Sequence, residues 1–433
     1  MLDPAHSARL DRRAAARGAT RRRRQIAGLT AASVVVLVVV LVVALGGSSP
    51  SHPAASRARQ AGSTATPNAP RADPLPSGGA LSPASVGGLA ALWAPQNIVG
   101  QQPGTDAAYA AAARLPALPG FLLIADRGNN RILVIDPEGH NVFTYPSAAD
   151  LKAGRKLYYN DDTFVEPGGH YLIANEEDNH DIVQVGIQDH SLSFLFGHPG
   201  QAGSDVTHLH TPDDAYELTD GSFTVADAYN CRILFVRDHR IIRQIGHSAV
   251  CRHDPPAYLG AVNGDTPMPD GGVLISEING SWIDDVGPTG KLVFSVQAPV
   301  GYPSDPQPLP GGRILLADYS SPGHIIIIDR TGKVLWRYGP SQGYGRLDHP
   351  SLAMPLPNGD IAVNDDFRDR VVVIDPRLNR IVWQYGHTDV GGTAPGFLHI
   401  PDGMDFIPAE PSMFSYIASP PNGLPDWGAV VHP

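Results

Sequence analysis

The sequence predicts an all-β chain, a β-propeller of six to seven four-stranded blades, and three observations predict it. Gly and Pro are abundant, with 46 and 41 residues, and show no collagen-like period, which fits frequent turns. A short unit recurs along the chain. Within it, apolar runs of strand length alternate with turn-formers at a spacing suited to propeller blades.

The unit is a Gly followed six residues later by an acidic residue or Asn. Its instances are Gly120 to Asp126, Gly169 to Asn175, Gly221 to Asp227, Gly271 to Glu277, Gly312 to Asp318 and Gly359 to Asp365. Successive instances lie roughly 40 to 50 residues apart, the length of a four-stranded blade. A second strand follows each landmark, as in RILVID from Arg131 and RVVVID from Arg370, and then a third such as KVLWRYG or RIVWQYG. The remaining strand precedes the landmark Gly and ends in turns such as PLPGG and PLPNG. Strands covered on both faces read as continuous apolar runs, which accounts for their weak alternation. Leu398 to Ser419 offers two more strands and Gly88 to Gly100 an outer one. Together they would close a composite seventh blade.

Ahead of the repeat, Ile26 to Leu45 carries no charged residue and is long enough to span roughly 30 Å of hydrocarbon as a helix. Eight Arg within residues 1–24 place the N-terminus in the cytoplasm by the positive-inside rule. A cleaved signal peptide is the competing reading, with Ala44 and Gly46 as small residues for a peptidase. Residues 46–88 are dominated by Ser, Pro, Ala and Gly and read as a disordered tether. The expected organisation is therefore a basic tail (1–25), a signal-anchor helix (26–45), a linker (46–88), an extracytoplasmic propeller (89–420) and a tail (421–433). The whole chain carries a formal charge of -11 in spite of the Arg-rich start, so the globular part is more acidic still and argues against nucleic acid as a partner.

In a propeller the innermost strands converge on an axial channel, so polar residues that open them meet in one place. Those positions hold Asn160, Asp161 and Asp162; Asp213 and Asp214; Asn263 and Asp265; Ser304 and Asp305; His349 and Ser351; and Asp402. Three units also open with His: His210-Thr-Pro-Asp213, His349-Pro-Ser351 and His399-Ile-Pro-Asp402. A ring of carboxylates with interleaved imidazoles suits a divalent cation, or proton and group transfer near neutral pH. The bland reading is that these residues satisfy strand-opening turns. The segment Asn175 to Asp181 (NEEDNHD) lacks the glycine and spacing of an EF-hand loop and reads as an exposed acidic loop. Cys231 and Cys251 are the only cysteines, and outside the cytoplasm a bridge between them is expected. Phosphate-binding Gly loops, GxSxG and HExxH are all missing from the sequence, which removes the commonest hydrolase and nucleotide readings.

Asp126 to Arg131, Asp227 to Arg232 and Asp365 to Arg370 each place Arg five residues after Asp. This spacing resembles the NHL repeat, a family of six-bladed propellers, in which the pairs would brace blade turns. Residues 347–386, with their PNG turn and WQYG strand, also resemble blades of bacterial arylsulfotransferase-type and quinoprotein-like propellers. That second resemblance implies catalytic His in the channel and nominates His210, His349 and His399. The expected function is a binding module that presents its channel mouth to a small molecule or a cell-envelope protein. The alternative is an arylsulfotransferase-like or lyase-like enzyme, with or without a divalent cation.

Overall fold

The computed structural model describes residues 118–268 and 270–409. Among them, six antiparallel sheets follow one another along the chain. The second sheet is built from β4 (Thr163–Val165), β5 (Tyr171–Glu176), β6 (Asp181–Gly186) and β7 (Leu192–Gly197). The third contains β8 (Phe223–Asp227), β9 (Arg232–Arg237) and β10 (Arg240–Gly246). Its inner edge is the irregular segment 212–218, bonded to β8 through Asp213 N to Ala226 O (2.8 Å) and Thr224 N to Tyr216 O (2.8 Å). The fourth holds β11 (Val262–Pro267), β12 (Val273–Glu277), β13 (Trp282–Val286) and β14 (Leu292–Gln297). The fifth holds β15 (Pro303–Leu309), β16 (Arg313–Asp318), β17 (His324–Ile328) and β18 (Val334–Tyr338). The sixth holds β19 (Ala353–Pro355), β20 (Ile361–Asp365), β21 (Arg370–Asp375) and β22 (Arg380–Gly386).

The first sheet closes the ring. Strands β1 (Gly120–Asp126), β2 (Arg131–Ile135) and β3 (Asn141–Tyr145) have no innermost strand of their own, and β23 (Pro401–Pro408) supplies it. Gly120 pairs with Pro408 and Ile124 with Met404. The propeller therefore has six blades. This corrects the expected seventh blade: residues 398–408 contribute a single strand, which completes the first blade instead of starting another. Residues 88–100 lie outside the described residues, as do the anchor, linker and tail expected in 1–88 and 421–433. Among the described residues, no helix is long and apolar enough to cross a membrane.

Apolar side chains fill the wedges between neighbouring blades. Leu123 and Ile132 of the first blade pack with Leu172 and Val183 of the second. Ile233 and Phe235 meet Val273 and Ile275, and Ile283 meets Ile314 and Ile326 across the next seam. Strands covered on both faces bury nearly every residue, which is why their sequences run apolar without alternation. Trp336 and Trp383 occupy matching outer-strand positions, opposite Ile327 and Val373.

Cross-strand register fixes which residues of the repeat correspond. Asp126 stands opposite Arg131, Asp227 opposite Arg232, Glu277 opposite Trp282, Asp318 opposite His324 and Asp365 opposite Arg370. In the second blade the corresponding pair is Glu176 and Asp181. The landmark there is thus Glu176, one residue beyond Asn175.

Candidate functional site: an axial carboxylate cluster

Each blade opens its inner strand next to the landmark carboxylate of its own second strand. Asp126 accepts a hydrogen bond from His399 N, Asp227 from His210 N and Asp365 from Asp348 N, each at 2.7 Å. Glu176 accepts one from Tyr158 N at 2.7 Å. The carboxylates thereby hold the chain as it turns into the axis, and the arginines hold the carboxylates. Arg131, Arg232 and Arg370 reach Asp126, Asp227 and Asp365 at 2.6, 2.7 and 2.8 Å.

These amide bonds also show which opening residues are equivalent. His210 and His399 correspond to each other and to Asp348, so His349 sits one position further along. Backbone torsions agree: Thr211, His349 and Ile400 share the left-handed conformation, with φ of 59, 55 and 49°. The three histidines therefore do not form one ring. His210 packs against His180 and Tyr229, and burial, with His180 nearby, lowers its pKa. His349 bonds Asp348 at 2.6 Å and wedges between Tyr319 and Phe367. His399 bonds Asp369 at 3.1 Å, with its side chain about half exposed. The three His openings grouped by sequence thus fall at two register positions. A one-residue shift in the sixth blade puts Asp348 where the other two have His.

Three residues past the amide anchor, the strands reach the axis. That layer contains Asp161, Asp213, Asn263, Ser304, Ser351 and Asp402, all buried. Immediately beyond lie Asp162, Asp214, Asp265 and Asp305, also buried. Asn263 donates to Asp213, and Ser304 donates to Asn263 Oδ1 at 2.6 Å, which links the third, fourth and fifth blades. Ser351 donates to Asp366 at 2.9 Å. Asn160 is buried beside them and reaches Arg131 O at 3.4 Å.

Among the described residues, one guanidinium enters this layer. Arg127 follows β1 in a single 3-10 turn (Arg127–Asn129) that bends it inward. It pairs with Asp161 at 2.6 Å, with Glu177 at 2.5 Å and with Asp402. Burial opposes its charge, but Asp161, Glu177 and Asp402 outweigh that and hold its pKa well above the ordinary value. Arg127 and Glu177 were missed from the sequence. Each directly follows its landmark carboxylate, as does Asp366 in the sixth blade, where other blades have Ala228, Ile278 and Tyr319. A charge recurring at that position is the signal that was available. The expected exposed acidic loop is likewise corrected: Glu176, Glu177 and Asp181 are buried, with Glu176 holding Tyr158 N of its own blade and Glu177 paired to Arg127 of the first.

Carboxylates outnumber the available counter-charge at the axis. Asp162, Asp214 and Asp305, from the second, third and fifth blades, bring oxygens within 4.8 Å of one another, and Asp161, Glu177 and Asp213 do the same. Burial raises the pKa of Asp214 well above the carboxylate range, and Asp305, Asp162 and Asp265 add to it. Asp305 is raised in the same direction by burial and by Asp213, and Asp265 by burial. The Tyr216 hydroxyl, raised by burial and by Asp214, lies next to them, its ring stacked on Phe164 at 3.9 Å. Like charges in a low dielectric either share protons or are neutralised by a cation. Asp162, Asp214 and Asp305 offer oxygen only, the donor set of a hard divalent ion. The backbone makes room for them. A Cβ on Gly403 would lie 2.3 Å from Asp162 Oδ1.

A second group lies on the fourth blade. His253 Nδ1 approaches Glu277 Oε2 at 3.1 Å and Asp284 Oδ2 at 4.0 Å. Burial and the neighbouring Asp284 raise the Glu277 pKa, and burial raises that of Asp284. Close by, Cys231 and Cys251 form a disulfide with Cα atoms 5.2 Å apart.

No family model matches the sequence, and no curated protein matches it. Among solved structures, the chain is similar to a protein of unknown function from Bacteroides caccae at 18% identity and TM-score 0.45, over 66% of this chain and 98% of that one. A chain of a nidogen/laminin complex is similar at 11% identity and TM-score 0.47, over 67% and 99%. A streptogramin B lyase is similar at 15% identity and TM-score 0.44, over 72% and 92%. The sheet order itself defines the architecture, a six-bladed β-propeller with an acidic axis.

Proposed function

We propose that the chain is a binding module, tethered outside the membrane by residues 26–45, that holds a hard divalent cation of the Ca²⁺ or Mg²⁺ kind at its channel mouth. The cation would in turn present open coordination positions to an oxygen-rich group of a small molecule or a cell-envelope partner. One observation carries this reading. Asp162, Asp214 and Asp305 converge from three blades, and the charges that press on Asp214 and Asp305 are other carboxylates. Such an arrangement gains most from a cation with oxygen ligands. The NHL-like Asp-to-Arg pairs fit a framework role, since they brace blade openings. The arylsulfotransferase-like alternative has less support, because His210, His349 and His399 are engaged at separate blades rather than around one point.

The test is calorimetric titration of the full chain with Ca²⁺ and with Mg²⁺, repeated on Asp162→Asn/Asp305→Asn. Saturable binding that the double substitution weakens on the order of tenfold or more supports the reading. Binding of neither ion, or binding indifferent to both substitutions, overturns it.

A further inference from the structure

The six landmark carboxylates provide an internal comparison. In four blades the residue opposite is a cation or a titratable base: Arg131, Arg232, His324 and Arg370. In the fourth blade that place is taken by Trp282, opposite Glu277. The same strand then adds a second buried acid, Asp284, so the site has lost a guanidinium and gained a carboxylate. Both Glu277 and Asp284 are fully buried. Asp284 lies beside Ser295 and Glu277, yet neither of its oxygens makes a hydrogen bond of ordinary geometry, and Glu277 Oε1 makes none either.

Facing them is His253, held from several sides. Its ring lies flat on the Trp282 indole, with centroids 4.0 Å apart and planes 6° from parallel. Its Nε2 is 3.3 Å from Ser295 Oγ. A proton on Nε2 shared with that hydroxyl leaves the Nδ1 lone pair directed at Glu277 and Asp284, the outer-sphere arrangement usual for a metal-binding imidazole. The loop that carries His253 is fastened by the disulfide two residues earlier, and by the Asp254 to Tyr258 bridge with Arg252 lying over the Tyr258 ring at 3.7 Å. A Cβ on Gly260 would lie 2.7 Å from Glu277 Oε2, so this backbone position leaves the carboxylate its place.

We propose that His253, Glu277 and Asp284 form a second metal site, for a first-row transition ion of the Zn²⁺ kind, separate from the axial carboxylates. One nitrogen and two carboxylates are the mixed donor set that such ions prefer over Ca²⁺ or Mg²⁺. Ligand atoms around a tetrahedral zinc lie roughly 3.3 Å apart, and the observed separations of 3.1 and 4.0 Å bracket that value. The His253 side chain is 24% exposed, so the ion has a path from solvent and an open position toward it.

The probe is Co²⁺, which reports its coordination by visible absorption and quenches nearby indole fluorescence. The full chain is titrated near neutral pH as wild type, His253→Gln, Asp284→Asn, Trp282→Phe and Asp162→Asn/Asp305→Asn. Expected are one saturable Co²⁺ site displaced by Zn²⁺, quenching that Trp282→Phe removes, and affinity weakened on the order of tenfold or more in His253→Gln and Asp284→Asn. The axial double variant should bind Co²⁺ here as wild type does, so the channel proposal and this one fail separately. His253 sits at the surface, and thermal melting of His253→Gln verifies its fold. An absence of saturable binding, or quenching undiminished in His253→Gln, overturns the site and leaves His253 as a neighbour of Glu277 and Ser295.

Discussion

Arg127 and Asp402, separated by 275 positions in the chain, form a buried ion pair across the seam where β23 joins β1. The same guanidinium holds Asp161 and Glu177 of the second blade. Removing it takes a buried counter-charge from three carboxylates, so Arg127→Ala should cost about 3–5 kcal/mol. Arg127→Lys should recover only part of that, since an ammonium lacks the planar fork that serves three partners. Urea denaturation of both variants measures the difference.

Asp126–Arg131 and Asp365–Arg370 share spacing and geometry but differ in burial. The Arg131 side chain is 18% exposed, while that of Arg370 is fully covered. Arg370 also bonds Gln384 and the Tyr344 and Arg346 carbonyls. Arg370→Ala should therefore destabilise by about 3–5 kcal/mol and Arg131→Ala by clearly less, because Asp126 and Asp365 are equally buried but the gap left by the partly exposed Arg131 opens to solvent. Equal losses in chemical melts would refute the argument from burial.

Gly403 has φ of 84°, and a Cβ there would collide with Asp162. Gly403→Ala combines backbone strain with displacement of an axial carboxylate, and should lower stability by about 1–3 kcal/mol. It should also weaken any cation that depends on Asp162. Parallel thermal melts and Ca²⁺ titrations check both effects.

Glu176 and Asp181 face each other where four other blades pair an acid with a base. Burial raises both pKa values, and the Glu176 charge raises that of Asp181 further. The folded chain then keeps protons that the unfolded chain has released above about pH 4, so stability declines as pH rises through neutrality. Asp181→Asn should flatten that slope and stabilise the protein near pH 8. Denaturation midpoints of wild type and Asp181→Asn across that range decide it.

Local chemistry made much of this structure legible. Gly turns, landmark acids and apolar runs are properties of a few adjacent residues, and they located the strands and the axial aspartates. Register was harder. Asn175 against Glu176, and His349 against His210 and His399, differ by one position. Cross-strand register and the amide bonds from Tyr158, His210, Asp348 and His399 reveal the offset. Blade number depended on whether residues 401–408 pair with 120–126, a contact between distant parts of the chain that no local pattern encodes. Arg127 escaped notice because its role arises from a three-residue turn that swings it away from its own strand.

Because β23 is the last of the described strands to be synthesised, the first blade remains incomplete while every other sheet is already available to fold. Until β23 is in place, Arg127 lacks its Asp402 partner. Closing the ring therefore waits on residues 401–408, and one strand completes both the first blade and the Arg127 cluster.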